Sequence, residues 1–86
     1  MSKKVTLYAL STCPHCHNAM ELLTEILGQS GFKLLYTDRL SGDERNIAMR
    51  ELRAVNPDVS FPTTVVGNKC VIGFKADEIR LLVEGK

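Results

Sequence analysis

No stretch of this 86-residue sequence approaches the roughly twenty consecutive apolar residues that a membrane-spanning helix needs. Neither sign of charge is in excess. Eleven Lys and Arg stand against ten Asp and Glu, a formal net charge of +1, which gives no electrostatic footing for nucleic acid or an anionic membrane surface. Internal repeats, linkers and low-complexity tracts are missing too, so the expected organisation is one small domain over residues 1–86. Behind the lysines of Met1-Ser2-Lys3-Lys4, the apolar run 5–10 is too short and too polar for a signal-peptide core. Cysteine is scarce and odd in number, three in all, which does not suit a fully paired secreted framework. A reducing cytosol is the expected compartment, and there a disulfide is transient and functional.

What is present is a regular alternation of strand-like and helix-like runs. Val5, Leu7 and Ala9 alternate with Thr6, Tyr8 and Leu10, a strand with both faces largely apolar. Cys16, Met20, Leu23 and Leu27 recur at helical spacing, Pro14 suits a first turn, and Gly28 and Gly31 end the helix. Residues 32–38 read as a second strand. Ser41-Gly42-Asp43-Glu44 has capping-box spacing and starts a second helix with Ile47, Ala48, Leu52 and Val55 on its apolar face. Asn56-Pro57-Asp58 stops it. The β-prone runs 63–66 and 70–72 flank Gly67-Asn68-Lys69, a hairpin signal. A last helix spans about residues 76–83, with Ile79, Leu82 and Val83 on one face. The order β-α-β-α-β-β-α implies an α/β fold whose first βαβ unit is parallel and right-handed.

Cys13-Pro14-His15-Cys16 joins the first strand to the first helix. Two cysteines at this spacing can close a small disulfide ring and reopen it, and in this context the pair reads as a redox motif. Only a thiolate attacks a disulfide, and a free cysteine is mostly protonated at neutral pH. Cys13 falls at the expected helix N-cap, where orphan N–H groups and the helix dipole favour its thiolate. Cys16 lies one turn inside and is the expected resolving thiol. Pro14 stiffens the turn, and a charged His15 would further favour the thiolate.

Other chemistries share these residues. Cys13-Pro14-His15-Cys16-His17 spells the haem-attachment pattern, but covalent haem calls for export and a largely helical pocket. Cys13, Cys16, His15, His17 and Cys70 are all metal-ligand types, yet a closed zinc site usually needs a second ligand pair. An iron-sulfur cluster bridging two chains through Cys13, or an adaptor that kept the fold without the chemistry, are further readings. The expectation is no resident metal.

Before the third strand stands Ser60-Phe61-Pro62-Thr63. Proline is tolerated at a strand start because its missing N–H falls outside the ladder. This segment is similar to the Thr-Val-Pro-Thr segment of glutaredoxins. Together with the cysteine pair, the chain length and the element order, it makes nearly the whole chain resemble a small dithiol glutaredoxin of the thioredoxin superfamily. The resemblance implies a thioredoxin-like fold, with a four-stranded mixed sheet flanked by three helices. It also implies a cis bond before Pro62, and a groove beside Cys13 lined by Phe61 and Pro62, where the residue before the proline pairs with substrate backbone. It implies a thiol–disulfide oxidoreductase, active as a monomer, with no permanent cofactor and glutathione as co-substrate. Redox potentials in this superfamily span roughly −120 to −270 mV, and a Pro-His insert implies a more oxidising pair than one with an aromatic at position 15.

The chain departs from that pattern at two places. Glutaredoxins usually carry a Lys or Arg shortly before the cysteine pair, and here the stretch is Ala9-Leu10-Ser11-Thr12. They also tend to have Gly-Gly, then a polar residue and Asp, before the last helix. Here Gly73-Phe74-Lys75-Ala76-Asp77 resembles instead the segment of redoxins that donate electrons to ribonucleotide reductase and are commonly reduced by thioredoxin reductase. Thr12, Phe61, Pro62, Lys75 and Asp77 are the candidate glutathione contacts. Lys75 would supply the cation missing before Cys13, and Asp77 is alternatively a cap of the last helix. Cys70, beginning the last strand, reads as a small buried hydrophobe or a site of regulatory oxidation. His17 reads as solvent-facing.

Overall fold

The computed structural model describes residues 4–85; the ends of the expected domain, residues 1–3 and 86, lie outside the described residues. In chain order the elements are β1 (Val5–Ala9), α1 (Pro14–Leu27), β2 (Lys33–Tyr36), α2 (Gly42–Val55), β3 (Thr63–Val66), β4 (Lys69–Ile72) and α3 (Ala76–Glu84). The sheet runs β2-β1-β3-β4, with β1 parallel to β2 and the other two pairings antiparallel. This is the expected element order and the thioredoxin-like fold.

Alternation along β1 decides which helix covers which face. Val5, Leu7 and Ala9 point to one side and are buried with Leu22 and Leu23 of α1 and Ile79 of α3. Tyr8 points to the other and is buried with Ala48 and Leu52 of α2. Leu23 is fully buried in the larger cluster. Leu23→Ala is expected to lower unfolding stability by about 3 kcal/mol, the loss of its transfer energy plus the cavity left behind. Urea denaturation of the reduced protein measures it, and a loss within error of zero would mean that this cluster is not the core.

Two boundaries and one cap differ from the sequence reading. β2 is shorter than 32–38: the Thr37 N–H still donates to the Ala9 carbonyl at 3.0 Å, but the Arg39 N–H closes a turn onto Tyr36 at 2.9 Å. β4 begins at Lys69 and not Cys70, because Gly67 (φ 63°) and Asn68 alone make the reversal, with the positive φ on the first turn residue. Ser41 is the N-cap of α2, yet its hydroxyl makes no capping bond. Gly42 follows at φ 59°, which carries the chain out of the right-handed path that a capping box requires.

The register brings four chain segments to one end of the sheet. Ala9 pairs with Tyr36, Tyr8 with Thr63, and Thr63 with Ile72. The loops that carry Cys13, Asp38, Pro62 and Gly73 therefore leave or enter the sheet together. The Gly73 N–H donates to the Pro62 carbonyl at 2.8 Å, which ties the last two.

Candidate active site

Cys13 is the N-cap of α1, in extended conformation (φ −98°, ψ 117°), with Pro14 opening the helix. Its half-buried Sγ accepts a hydrogen bond from the Cys16 backbone N–H at 3.3 Å. The thiol is held below its ordinary value of 9.0, first by the Cys16 side chain hydrogen-bonded to it, then by the N–H groups of Cys16 and His15, with burial opposing. α1 also has no acidic residue in its first turn, whereas α2 opens with Asp43 and Glu44 and α3 with Asp77 and Glu78. The positive end of the α1 dipole is left to the cysteine. It is the backbone N–H of His15 that favours the thiolate, and its side chain is exposed.

Cys16 is 1% exposed. Burial, followed by its hydrogen bond to Cys13, pushes its thiol up to about 11, against the partial relief of the Leu10 N–H donating to its Sγ at 3.4 Å. The same turn thus holds one thiol that ionises early and one that keeps its proton.

The sequence reading missed Asp38. Its Oδ1 accepts the Ser11 N–H at 3.0 Å and its Oδ2 accepts the Ser11 hydroxyl. The loop after β2 is thereby fastened to the loop leading into Cys13. These bonds hold the Asp38 carboxyl below the usual carboxylate range, and its charge adds a smaller upward push on Cys16. Because the folded value is depressed, this contribution to stability is present above the unfolded value near 3.9 and is lost as pH falls through the folded one. Asp38→Asn is expected to lower the Cys16 titration midpoint, read by carbon chemical shifts of labelled cysteine. A midpoint that stays put would rule out the electrostatic link.

The other sequence candidates are distributed unevenly. The Phe61–Pro62 bond is cis. Pro62 is fully buried, so of this pair only half-buried Phe61 offers accessible surface. Phe61 and Cys13 pack against the same cluster, the one containing Cys16. Thr12 and Pro14 are exposed. Lys75 occupies the N-cap of α3, and its ammonium pairs with Glu78 at 3.8 Å on the surface. Asp77 does not cap α3: the helix starts at Ala76, which puts Asp77 inside the first turn, facing the helix dipole without a side-chain capping bond. Exposed His17 pairs with Glu21 at 3.5 Å. Cys70 is half-buried on the α2 side and its thiol donates to the Val55 carbonyl at 3.5 Å. Among the described residues no group of three or more His, Cys, Asp and Glu side chains could hold a metal ion. No described helix is long and apolar enough to cross a membrane.

A fold of this topology, with a cysteine pair at the head of α1 and a cis-proline loop at the same end of the sheet, defines the class of thiol oxidoreductases built on the thioredoxin fold. A family model described as Glutaredoxin matches residues 5–71, and this chain belongs to the glutaredoxin family. Among solved structures it is similar to a glutaredoxin from Methanosarcina mazei, with 46% identity, a TM-score of 0.79, and coverage of 90% of this chain and 74% of that one. A methanoredoxin from Methanosarcina acetivorans shares 36% identity at a TM-score of 0.83, covering 93% and 83%. A glutaredoxin from Archaeoglobus fulgidus shares 31% at 0.84, covering 96% and 88%. Comparison with curated proteins found no significant match.

Proposed function

We propose that this chain is a cytoplasmic, monomeric dithiol oxidoreductase that reduces protein disulfides or glutathione mixed disulfides through a reversible Cys13–Cys16 disulfide. The observation that carries the reading is the opposite displacement of two thiols within one helical turn, Cys13 down and Cys16 up to about 11. The Cys13 thiolate attacks a substrate sulfur, the substrate disulfide breaks, and one substrate thiolate leaves. Cys16 then gives up its proton and attacks the Cys13 sulfur, the second substrate thiol leaves, and the protein is left oxidised by two electrons. Glutathione, as co-substrate, returns them.

A second reading concerns the reductant. NrdH-redoxin from Escherichia coli, whose structure is described as explaining a thioredoxin-like activity profile, aligns over 92% of this chain at 26% identity and a TM-score of 0.61. Gly73-Phe74-Lys75-Ala76-Asp77 resembles that group, and the cation missing before Cys13 supports the same alternative: reduction by thioredoxin reductase and delivery of electrons to ribonucleotide reductase. Lys75, the N-cap of α3, and Asp77, in its first turn, are the glutathione contacts this alternative would dispense with.

NADPH oxidation with a mixed-disulfide substrate separates the two. One arm contains glutathione and glutathione reductase, the other thioredoxin reductase alone. Turnover in the first arm is expected. Turnover only in the second would make the chain a redoxin. Failure of both, together with iron and sulfide in anaerobically purified protein, would favour the cluster-carrying or adaptor reading.

A further inference from the structure

Asn56 reads in the sequence as a helix stop. In the fold it is 1% exposed, and nearly all of its hydrogen-bonding groups are committed. As C-cap of α2 its N–H donates to the Leu52 carbonyl at 2.8 Å, and its own carbonyl accepts the Val59 N–H at 3.0 Å. Its side-chain Nδ2 donates to the Ser60 Oγ at 3.1 Å and to the Thr63 Oγ1 at 3.2 Å. The Thr63 hydroxyl donates to the Ser60 carbonyl at 2.7 Å. That hydroxyl has one hydrogen, already committed, so it can only accept from Asn56, and the amide orientation follows. Both amide hydrogens therefore bracket Phe61-Pro62, one on the residue before and one on the residue after.

Two costs show that the arrangement is held against resistance. The Oδ1 of Asn56 is buried without a partner among the described residues, where an apolar side chain of similar size would leave no orphan acceptor. Val59 sits at φ 51°, a region hostile to β-branched residues that persists only where the surroundings over-determine it. The surroundings here are the Asn56 carbonyl, which accepts the Val59 N–H, and the Asn56 amide, which holds the next residue, Ser60.

We infer that Asn56 is a positioning residue: its amide fixes the Ser60–Thr63 segment as the wall beside Cys13 and so sets affinity for extended polypeptide disulfides, while leaving the thiol chemistry untouched. The inference rests on the reading above, in which Phe61 and Pro62 line the substrate groove.

Two probes that release the same chromophore test it on full-length reduced protein. One is dithiobis-nitrobenzoate, too small to engage the wall. The other is an unstructured peptide whose single cysteine is in mixed disulfide with thionitrobenzoate. Cys13 attacks the peptide sulfur, thionitrobenzoate leaves with the electron pair, and Cys16 then displaces the peptide thiol. For Asn56→Ala the half-saturating peptide concentration is expected to rise about tenfold, and for Ser60→Ala severalfold, with maximal rate and dithiobis-nitrobenzoate rate within about twofold of wild type. Ser60→Ala removes one hydroxyl from a half-buried site, so it reads the same bond if Asn56→Ala does not fold. Folded variants with a lower denaturation midpoint but unchanged half-saturation would overturn the inference, as would equal losses with both probes. Wild-type protein inert to both would overturn the functional reading, and this inference with it.

Discussion

Cys13→Ser is expected to abolish reduction of mixed disulfides in either coupled assay, by at least about a thousandfold, because serine supplies no nucleophile that ionises near neutral pH. The companion Cys16→Ser should behave quite differently. It leaves the Cys16 backbone N–H bond to position 13 intact but removes the resolving thiol and the side chain that most lowers the Cys13 value. The first exchange therefore proceeds, more slowly at neutral pH, and the protein stalls as a mixed disulfide unless a second thiol from solution releases it. Intact mass spectrometry after mixing with a disulfide peptide distinguishes the two: no adduct for Cys13→Ser, a stable adduct for Cys16→Ser. An adduct on Cys13→Ser at the wild-type rate would assign the attack to another cysteine.

Alkylation of the reduced protein should be selective by more than about a hundredfold at pH 7. The ordinary thiol value of 9.0 is an upper bound for Cys13, while Cys16 stands at about 11, so their thiolate fractions differ at least by that ratio. Burial of Cys16 widens the gap, since iodoacetamide must reach the sulfur. The two displacements have opposite consequences for stability. The depressed Cys13 value stabilises the reduced fold above the unfolded thiol value, an effect lost as pH falls through its folded midpoint. The raised Cys16 value withdraws stability as pH climbs from the unfolded value toward about 11. Peptide mapping after brief alkylation across pH 5 to about 10 reads the Cys13 midpoint and only the onset of Cys16 labelling; equal labelling of the two cysteines at neutral pH would overturn the assignment of roles.

The sequence was most legible where side-chain period and turn chemistry agree. Val5, Leu7 and Ala9 alternate toward one face and do line the larger core; Pro14 at a helix start and Gly67 at a hairpin mark positions where the backbone leaves few options. What stayed hidden depended on partners distant in the chain. Ser11 and Asp38 meet because β1 and β2 are parallel and end together, a fact of register and not of local pattern. Asn56 looked like punctuation because its role depends on hydroxyls at Ser60 and Thr63 that the loop folds back to it. Ser41 erred in the other direction. Its spacing to Glu44 matched a capping box, and the φ of Gly42, invisible in the letters, prevented the bond. Asp77 also looked like a cap, but α3 begins at Ala76, where the sequence spacing put it, with Lys75 as N-cap, so Asp77 falls inside the first turn.

The sheet's two outer strands, β2 and β4, are each four residues long, and each opens on an exposed lysine, Lys33 and Lys69. Unpaired strand edges invite a second copy to add itself, and that addition becomes harder when the edge is short and charged. Two identical edges approaching one another would bring like charges together, with little ladder to offset the repulsion. These lysines would act against self-association along the flanks of the sheet and leave encounters to its cysteine end.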